Sequence, residues 1–400
     1  MNFLFGEEHR EFKGQVVDFF ESQRDESWGT IDRESDSFRA LGMEMDKRLV
    51  ERGWWVLHWP EMYGGGGGDF VSYAILREAE GYFRVPTGGG HGRYIVGSAL
   101  MKFASEELKD EVLPQIAKAE TVLSLGYTEP EAGSDLGSLR ATALRDGDNY
   151  IINGTKAFIT YGHFADQIFL AARTDPSAPK KHQGVSLFLV PLDSDGVVIE
   201  SQVCLTGHRV NLIHFNDVAV NSGRLVGTEH QGFYHMADAL NYERSGVQKP
   251  AIYRRQLEAI VELSKQNGTF GQSAESITGL LTMIEAWRML CWRVVLLQGR
   301  GDSPSWEASQ AELYRKLVNP EFGRLISIVC GSEYLSDQLS PLLKWWIREG
   351  TNNHGQGGRN VTMNAIGRRG LKLPRAGSSE AAASRKRADQ STEYQVPTNA

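Results

Sequence analysis

The hydrophobic period of this chain changes twice, and those changes decide what it can fold into. From about residue 6 to 120 apolar residues recur at helical spacing, as in Phe12, Val16, Val17, Phe19 and Phe20, then Leu41, Met45, Leu49 and Val50. From about 120 to 226 short alternating runs take over, at 167–173, 185–190, 197–203 and 212–220, each bounded by Gly, Pro, Asp or Asn. From Gly232 the helical period returns through 242–263, 276–297, 306–318 and 322–334, with a last helix near 361–367. The pattern predicts an N-terminal helical domain over 1–120, a small antiparallel β domain over 121–230 and a helical bundle over 231–375. Residues 376–400, rich in Ser, Ala, Arg and Lys, are expected to be disordered. Ser105 is the expected N-cap of a short helix. The run Gly64 to Gly68 is followed by no Gly-Lys-Ser/Thr, so it reads as a turn and not as a phosphate loop.

Composition narrows the function classes. At 400 residues the chain exceeds one ordinary core, and 41% hydrophobic with 23% charged residues is a soluble globular balance. A net charge of −7 disfavours nucleic acid as a partner. No apolar run approaches the roughly 20 residues that a bilayer span needs. The first residues, MNFLFGEEHREFKG, are charged almost at once, which reads as no leader peptide and a cytoplasmic location. Cys204, Cys291 and Cys330 lie far apart, as free thiols in a reducing compartment would. His230 and His235 lack metal-pair spacing and no acid cluster accompanies them, so no metal is expected.

Residues 127–160 read YTEPEAGSDLGSLRATALRDGDNYIINGTKAFIT. A polar loop comes first, then a hairpin signal at Arg145-Asp146-Gly147-Asp148. Thr128-Glu129-Pro130, Ala132-Gly133-Ser134-Asp135, Asn153-Gly154, Lys156 and Ile159-Thr160 together resemble the flavin-binding segment of the acyl-CoA dehydrogenase family. The resemblance extends over about 5–375. It is strongest to the heteromeric members of actinobacterial steroid catabolism. It implies that family's fold: helical domain, small antiparallel β domain, helical bundle. It also implies an FAD-dependent α,β-dehydrogenation of an acyl-CoA thioester, in which a carboxylate takes the α proton and the β hydrogen leaves as hydride. The acyl chain would be steroid-derived or branched, and an electron-transferring flavoprotein or similar acceptor would follow.

Carried over residue by residue, the resemblance places Tyr127 and Thr128 at the pyrimidine end of the flavin. Gly133 and Ser134 fall near its phosphate or ribityl chain and the substrate path. Phe158 stands where the family has tryptophan, and Thr160 directs its hydroxyl towards the flavin. Ser134 and Arg244 are expected to face substrate. For the base, Glu349-Gly350-Thr351 matches one family motif literally. Counting back from Leu373-Pro374-Arg375, however, puts that position at Gln356, which cannot accept a proton. The family's other position is Glu243, in Leu240-Asn241-Tyr242-Glu243-Arg244, and Glu243 is the expected catalytic base.

Two family features are missing. Phe270-Gly271 is preceded by Asn267 where an arginine would reach a neighbour's flavin pyrophosphate, and the glutamine-rich segment near 330–334 reads Cys330-Gly331-Ser332-Glu333-Tyr334. The resemblance therefore implies an oligomer, a heterotetramer with a paralogous chain, in which two unlike chains share each site. Two other readings stay open at this point: a flavin oxidase or monooxygenase of the same fold, and a non-catalytic partner subunit.

Overall fold

The computed structural model describes residues 5–25, 28, 34–204, 207–243, 245–332, 341–350 and 358–374. Helices come first: α1 (Glu7–Gln23), α2 (Asp36–Glu51), α3 (Phe70–Phe83), α4 (Gly97–Phe103) and α5 (Glu106–Ala117). Each buries the stripe its sequence announces, Val16, Phe19 and Phe20 on α1, and Met45 and Leu49 on α2. Side-chain caps fix the starts of α2, α3 and α5. Ser35 accepts from Phe38 N–H, Asp69 from Ser72 N–H, and Ser105 from Leu108 N–H. The glycine run is a packed turn: a Cβ on Gly65 would stand 2.1 Å from the Trp59 carbonyl oxygen.

The strands are β1 (Leu123–Gly126), β2 (Thr142–Asp146), β3 (Asn149–Ile159), β4 (Gln167–Arg173), β5 (Val185–Pro191), β6 (Val197–Val203), β7 (Arg209–Asn221) and β8 (Leu225–Val226). They form one sheet of eight strands in the order β6-β7-β3-β2-β4-β5-β8, with β1 beside β4. Pairing is antiparallel except that β1, and one residue of β2, run parallel to β4. The β2–β3 hairpin turns where the sequence indicates, with Asp146 opposite Asn149 and Gly147 at φ 58°. Its interior is apolar: Tyr150, Ile152, Ile168, Leu170, Phe188, Val190, Ile213 and Phe215 are buried together.

The C-terminal helices are α6 (Gly232–Glu243), α7 (Gln248–Gln266), α8 (Phe270–Gly299), α9 (Ser305–Cys330), α10 (Pro341–Gly350) and α11 (Arg359–Ala365). Two boundaries differ from the sequence reading. The helix expected over 242–263 is divided between α6 and α7, because Gly246 takes a left-handed φ of 59° just ahead of the first turn of α7, which holds Pro250. Conversely, the two helices expected around Pro320 are one. Val318 and Phe322 are both wholly buried in the bundle core, and that burial outweighs the roughly 3 kcal/mol a proline costs inside a helix. The bundle core is aromatic: Tyr253 lies edge-on to Trp287, Phe322 and Trp345 at centroid distances of 5.2–5.3 Å. The tail expected over 376–400 lies outside the described residues.

Charges are buried among the N-terminal helices. Arg93 is fully enclosed. It donates to both Glu80 oxygens at 2.7 and 2.9 Å and to the Trp55 carbonyl at 3.0 Å, and Arg77 pairs with Glu80 as well. Nearby, Asp46 on α2 accepts from Gly88 N–H at 2.8 Å, while its Oδ1 is buried with no partner among the described residues. Burial pushes the Asp46 carboxyl up to about 8, against the attraction of Arg93. Native Asp46 therefore holds a proton that the unfolded chain gives up near pH 4, and stability contributed here falls as pH rises from about 4 to 8. Asp46→Asn keeps the shape and removes the titration. Its stability relative to the natural protein should rise steadily across that window, measured by denaturant melts at half-unit pH steps. A difference that stays flat with pH would show Asp46 to be ionised.

Candidate active site

The candidate site is built on the loop that joins β1 to β2, and two clamps shape it, one buried and one half-buried. Strand alternation puts Lys156 on the inward face of β3 with Tyr150 and Ile152, all wholly buried. Its ammonium meets Glu129 Oε1 at 2.7 Å and the Tyr127 carbonyl at 3.4 Å. Glu129 also accepts from the backbone N–H of Arg140 at 2.6 Å and of Ala141 at 3.0 Å, so one carboxylate joins the two ends of the loop. The Thr128 carbonyl accepts from Ala157 N–H at 2.9 Å. The second clamp is Arg173 at the end of β4. It donates to the carbonyls of Leu139, Gly137, Lys181 and Gln183 at 3.0–3.2 Å, tying the loop's exit to the β4–β5 connection.

The apex between the clamps is exposed at Gly133, Ser134 and Asp135. A Cβ on Gly133 would meet nothing within 4 Å. Tyr127 is buried with its ring 6.0 Å from that of Phe169, and Thr128 and Thr160 are half-buried. The hydroxyls of Thr128, Ser134 and Thr160 bond to no other described residue. Past Ala157 the register of β3 on β7 breaks, and Phe158 in that bulge adopts φ 58° with 63% of its surface exposed. A bulky residue held left-handed and turned outward is strained and poorly packed, a combination that favours a binding role over a structural one. Thr160 is fixed through its carbonyl, which accepts from Ser124 Oγ at 3.0 Å.

The helix that carries the expected base starts close to this loop. Gly232 opens α6 against β5, where a Cβ would stand 2.7 Å from Ser186 Cα. Met236 and Ala239 of α6 belong to the same buried cluster as Tyr127, Ala132, Leu139 and Phe169. Glu243 is the last residue of α6. Its side chain, the whole of Arg244 and Gln356, and the side chain of Glu349 at the end of α10, lie outside the described residues.

Three family models cover the chain: Acyl-CoA dehydrogenase N-terminal domain over 6–120, middle domain over 124–218 and C-terminal domain over 230–371. The chain belongs to the acyl-CoA dehydrogenase family. It is 31% identical over 386 residues to acyl-CoA dehydrogenase FadE29 of Mycobacterium tuberculosis, covering 92% of this chain and 97% of that one. It resembles the Tcur3481-Tcur3483 steroid ACAD at a TM-score of 0.83 and 27% identity, over 94% of this chain and 100% of that one. The ChsE4-ChsE5 complex of Mycobacterium tuberculosis follows at 0.80 and 26%, again over 94% and 100%.

Acyl-CoA dehydrogenases are flavin-dependent, and the residues of this chain fit a flavin: hydroxyls with no partner among the described residues, an open glycine apex and an exposed aromatic ring lie at this loop and the strand beside it. Glu129, Lys156 and Arg173 were given no role by the sequence reading. A signal existed for Lys156, since a lysine in phase with Tyr150 and Ile152 must be buried and so must be paired. Nothing comparable marked Arg173.

Phe158→Gly tests the bulge. Relief of the left-handed strain, about 1 kcal/mol, opposes a similar loss from added backbone freedom, so thermal stability should be almost unchanged while FAD affinity falls. A large drop in melting temperature would instead show that the ring packs into the fold.

Proposed function

We propose that this acyl-CoA dehydrogenase oxidises an acyl-CoA thioester between its α and β carbons, with FAD held on the Tyr127–Thr160 side of the β domain and Glu243 as the base. The observation that carries the reading is the clamped loop itself. It has a fixed frame at Lys156, Glu129 and Arg173, and the hydroxyls of half-buried Thr128 and exposed Ser134 bond to no other described residue. Tyr127 and Thr128 would border the pyrimidine end, and Phe158 would lie along the ring. Thr160 would direct its hydroxyl at the reacting edge, Ser134 would stand between cofactor and substrate, and Arg244 would bind substrate. Bound FAD supplies the redox chemistry, taking up the hydride that leaves the β carbon. Glu243 takes the α proton, the one step that requires a carboxylate of this chain. The steroid ACAD likeness supports a steroid-derived or branched acyl group, and an electron-transferring flavoprotein or similar acceptor would complete the cycle.

A paralogous partner chain belongs to the same proposal. Asn267, where the family pattern has the arginine that reaches a neighbour's flavin, is turned into its own subunit. Its amide donates to the Val329 carbonyl at 2.6 Å and its oxygen accepts from Thr269 Oγ1 at 2.7 Å. It clasps the α7–α8 turn to the end of α9 and has little left to offer a second subunit. The chain expressed alone should hold FAD substoichiometrically, and co-expression with a paralogous chain should restore full occupancy. Stable, complete flavin loading in a pure homo-oligomer would reject the shared site while leaving the reaction intact.

The chemistry is tested by anaerobic titration of the flavin-loaded complex with acyl-CoA thioesters, following bleaching of the flavin. Glu243→Gln should slow bleaching by about 10²–10⁴-fold with the resting spectrum retained, and Glu349→Gln should not. A dead Glu349 variant beside an active Glu243 variant would reverse the assignment. Thr160→Val removes a donor without changing shape and should slow flavin reduction by about ten- to a thousandfold. An unchanged rate would make Thr160 an ordinary strand residue.

A further inference from the structure

We propose that Lys156 and Glu129 are positioning residues for the cofactor, a buried ion pair that sets the Tyr127 and Thr128 carbonyls and thereby the affinity and electronic environment of the flavin's pyrimidine edge. The inference rests on the flavin reading above and goes beyond it, because neither side chain is assigned to the cofactor there.

Three features exceed what a fold-holding pair requires. The ammonium lies 2.7 Å from Glu129 Oε1 and 3.4 Å from the Tyr127 carbonyl, so its charge is shared between the acid and the backbone expected at the cofactor's edge. The adjacent Ala157 N–H fixes the Thr128 carbonyl at 2.9 Å, and the residue after that is the strained, outward Phe158. One turn of strand thus orders, in sequence, a cation, a held carbonyl and an exposed ring. A buried pair is also an expensive way to close a loop, since apolar residues of equal volume often stabilise a fold as well. Retaining a positive charge here has a purpose if the carbonyls it orients accept from an N–H of the ligand edge while the charge offsets the negative polarisation of that edge's oxygens.

The charged group facing Lys156 among the described residues is Glu129, with the backbone of Tyr127 on the other side. Burial holds the ammonium down to about 8, with Glu129 opposing, so the charge is present at neutral pH and is lost as pH rises through that value. A purely structural pair would leave the flavin spectrum and its pH profile alone.

The experiment compares the natural protein with Lys156→Met, Lys156→Arg and Glu129→Gln, each checked for folding by circular dichroism and purified with its partner chain where one is needed. FAD dissociation constants, flavin absorption and the two-electron potential are measured from pH 7 to 9. In the natural protein affinity should fall across that range. Lys156→Met should bind FAD about tenfold or more weakly at pH 7, with a shifted absorption band and a flat pH profile. Lys156→Arg should recover most of the affinity and keep it at pH 9. A folded Lys156→Met with natural affinity, spectrum and pH profile overturns the proposal. Hydrogen exchange of the apoprotein tests the positioning independently of FAD, and Glu129→Gln serves if Lys156→Met does not fold. The amides of Arg140, Ala141 and Ala157 should exchange faster in the variants while those of β5 do not. Unchanged exchange there refutes the clamp, whereas failure of the natural protein to bind FAD at all would count against the flavin reading alone.

Discussion

The Lys156–Glu129 pair is the contact on which the rest of the site depends. Neither side chain reaches water to any extent, so each charge is tolerable only because the other is within 3 Å and the carboxylate's remaining capacity is filled by two backbone N–H groups. That requirement fixes geometry. Glu129 cannot satisfy Lys156, Arg140 and Ala141 together unless the loop folds back on itself, and folding back leaves residues 133–135 at its apex. The exposed apex is therefore a consequence of buried electrostatics and not of local flexibility. Arg173 does the same for the exit of the loop by collecting carbonyls from two chain segments that would otherwise be unsatisfied.

Much of this architecture could be read from the sequence, and what could not be read failed for physical reasons. The change from helical to alternating period located the sheet, and β4 and β6 have the bounds their patterns indicated, because strand period is a local property. Helix boundaries were harder. Pro320 predicts a break that tertiary burial of Val318 and Phe322 overrides, whereas the division between α6 and α7 depends on the left-handed Gly246, one glycine among many. Of the proposed site, the hydroxyl and glycine positions are expectations carried by the motif. The left-handed turn at Phe158 is not carried by it, since no propensity rule places an aromatic residue there. Arg173 escaped for a different reason: its partners are carbonyls, which leave no trace in side-chain identity.

The buried charges of the N-terminal helices reach the same site from the other side. Gly42 lets α2 press on the backbone of Thr87 and Gly88, and Asp46, one turn later, holds the Gly88 N–H. That loop leads to His91, whose ring lies 5.3 Å from the ring of Tyr161, the residue after Thr160. Helix and sheet are thus coupled through a short chain of packed contacts, and Arg93, two residues past His91, locks it through Glu80. Such a chain transmits position through packed contacts, with Gly42, Asp46 and Arg93 buried and His91 and Tyr161 half-buried.

On the proposed shared site, Asn267 would act by subtraction. In the family pattern the long cation at that position serves a neighbour. Asparagine is too short for that reach. It satisfies the local backbone, accepting from the Thr269 N–H and hydroxyl and donating to the Val329 carbonyl across the bundle. Ordering the end of α9 in this way is useful to the subunit itself, and the side chain carries no charge to offer across an interface. Restoring a charge by substitution would therefore break the clasp as well as add a ligand. If the site is shared, that is why both changes belong together: the chain that gives up the outward cation gains an inward hydrogen-bonding residue, and its partner must carry the cation.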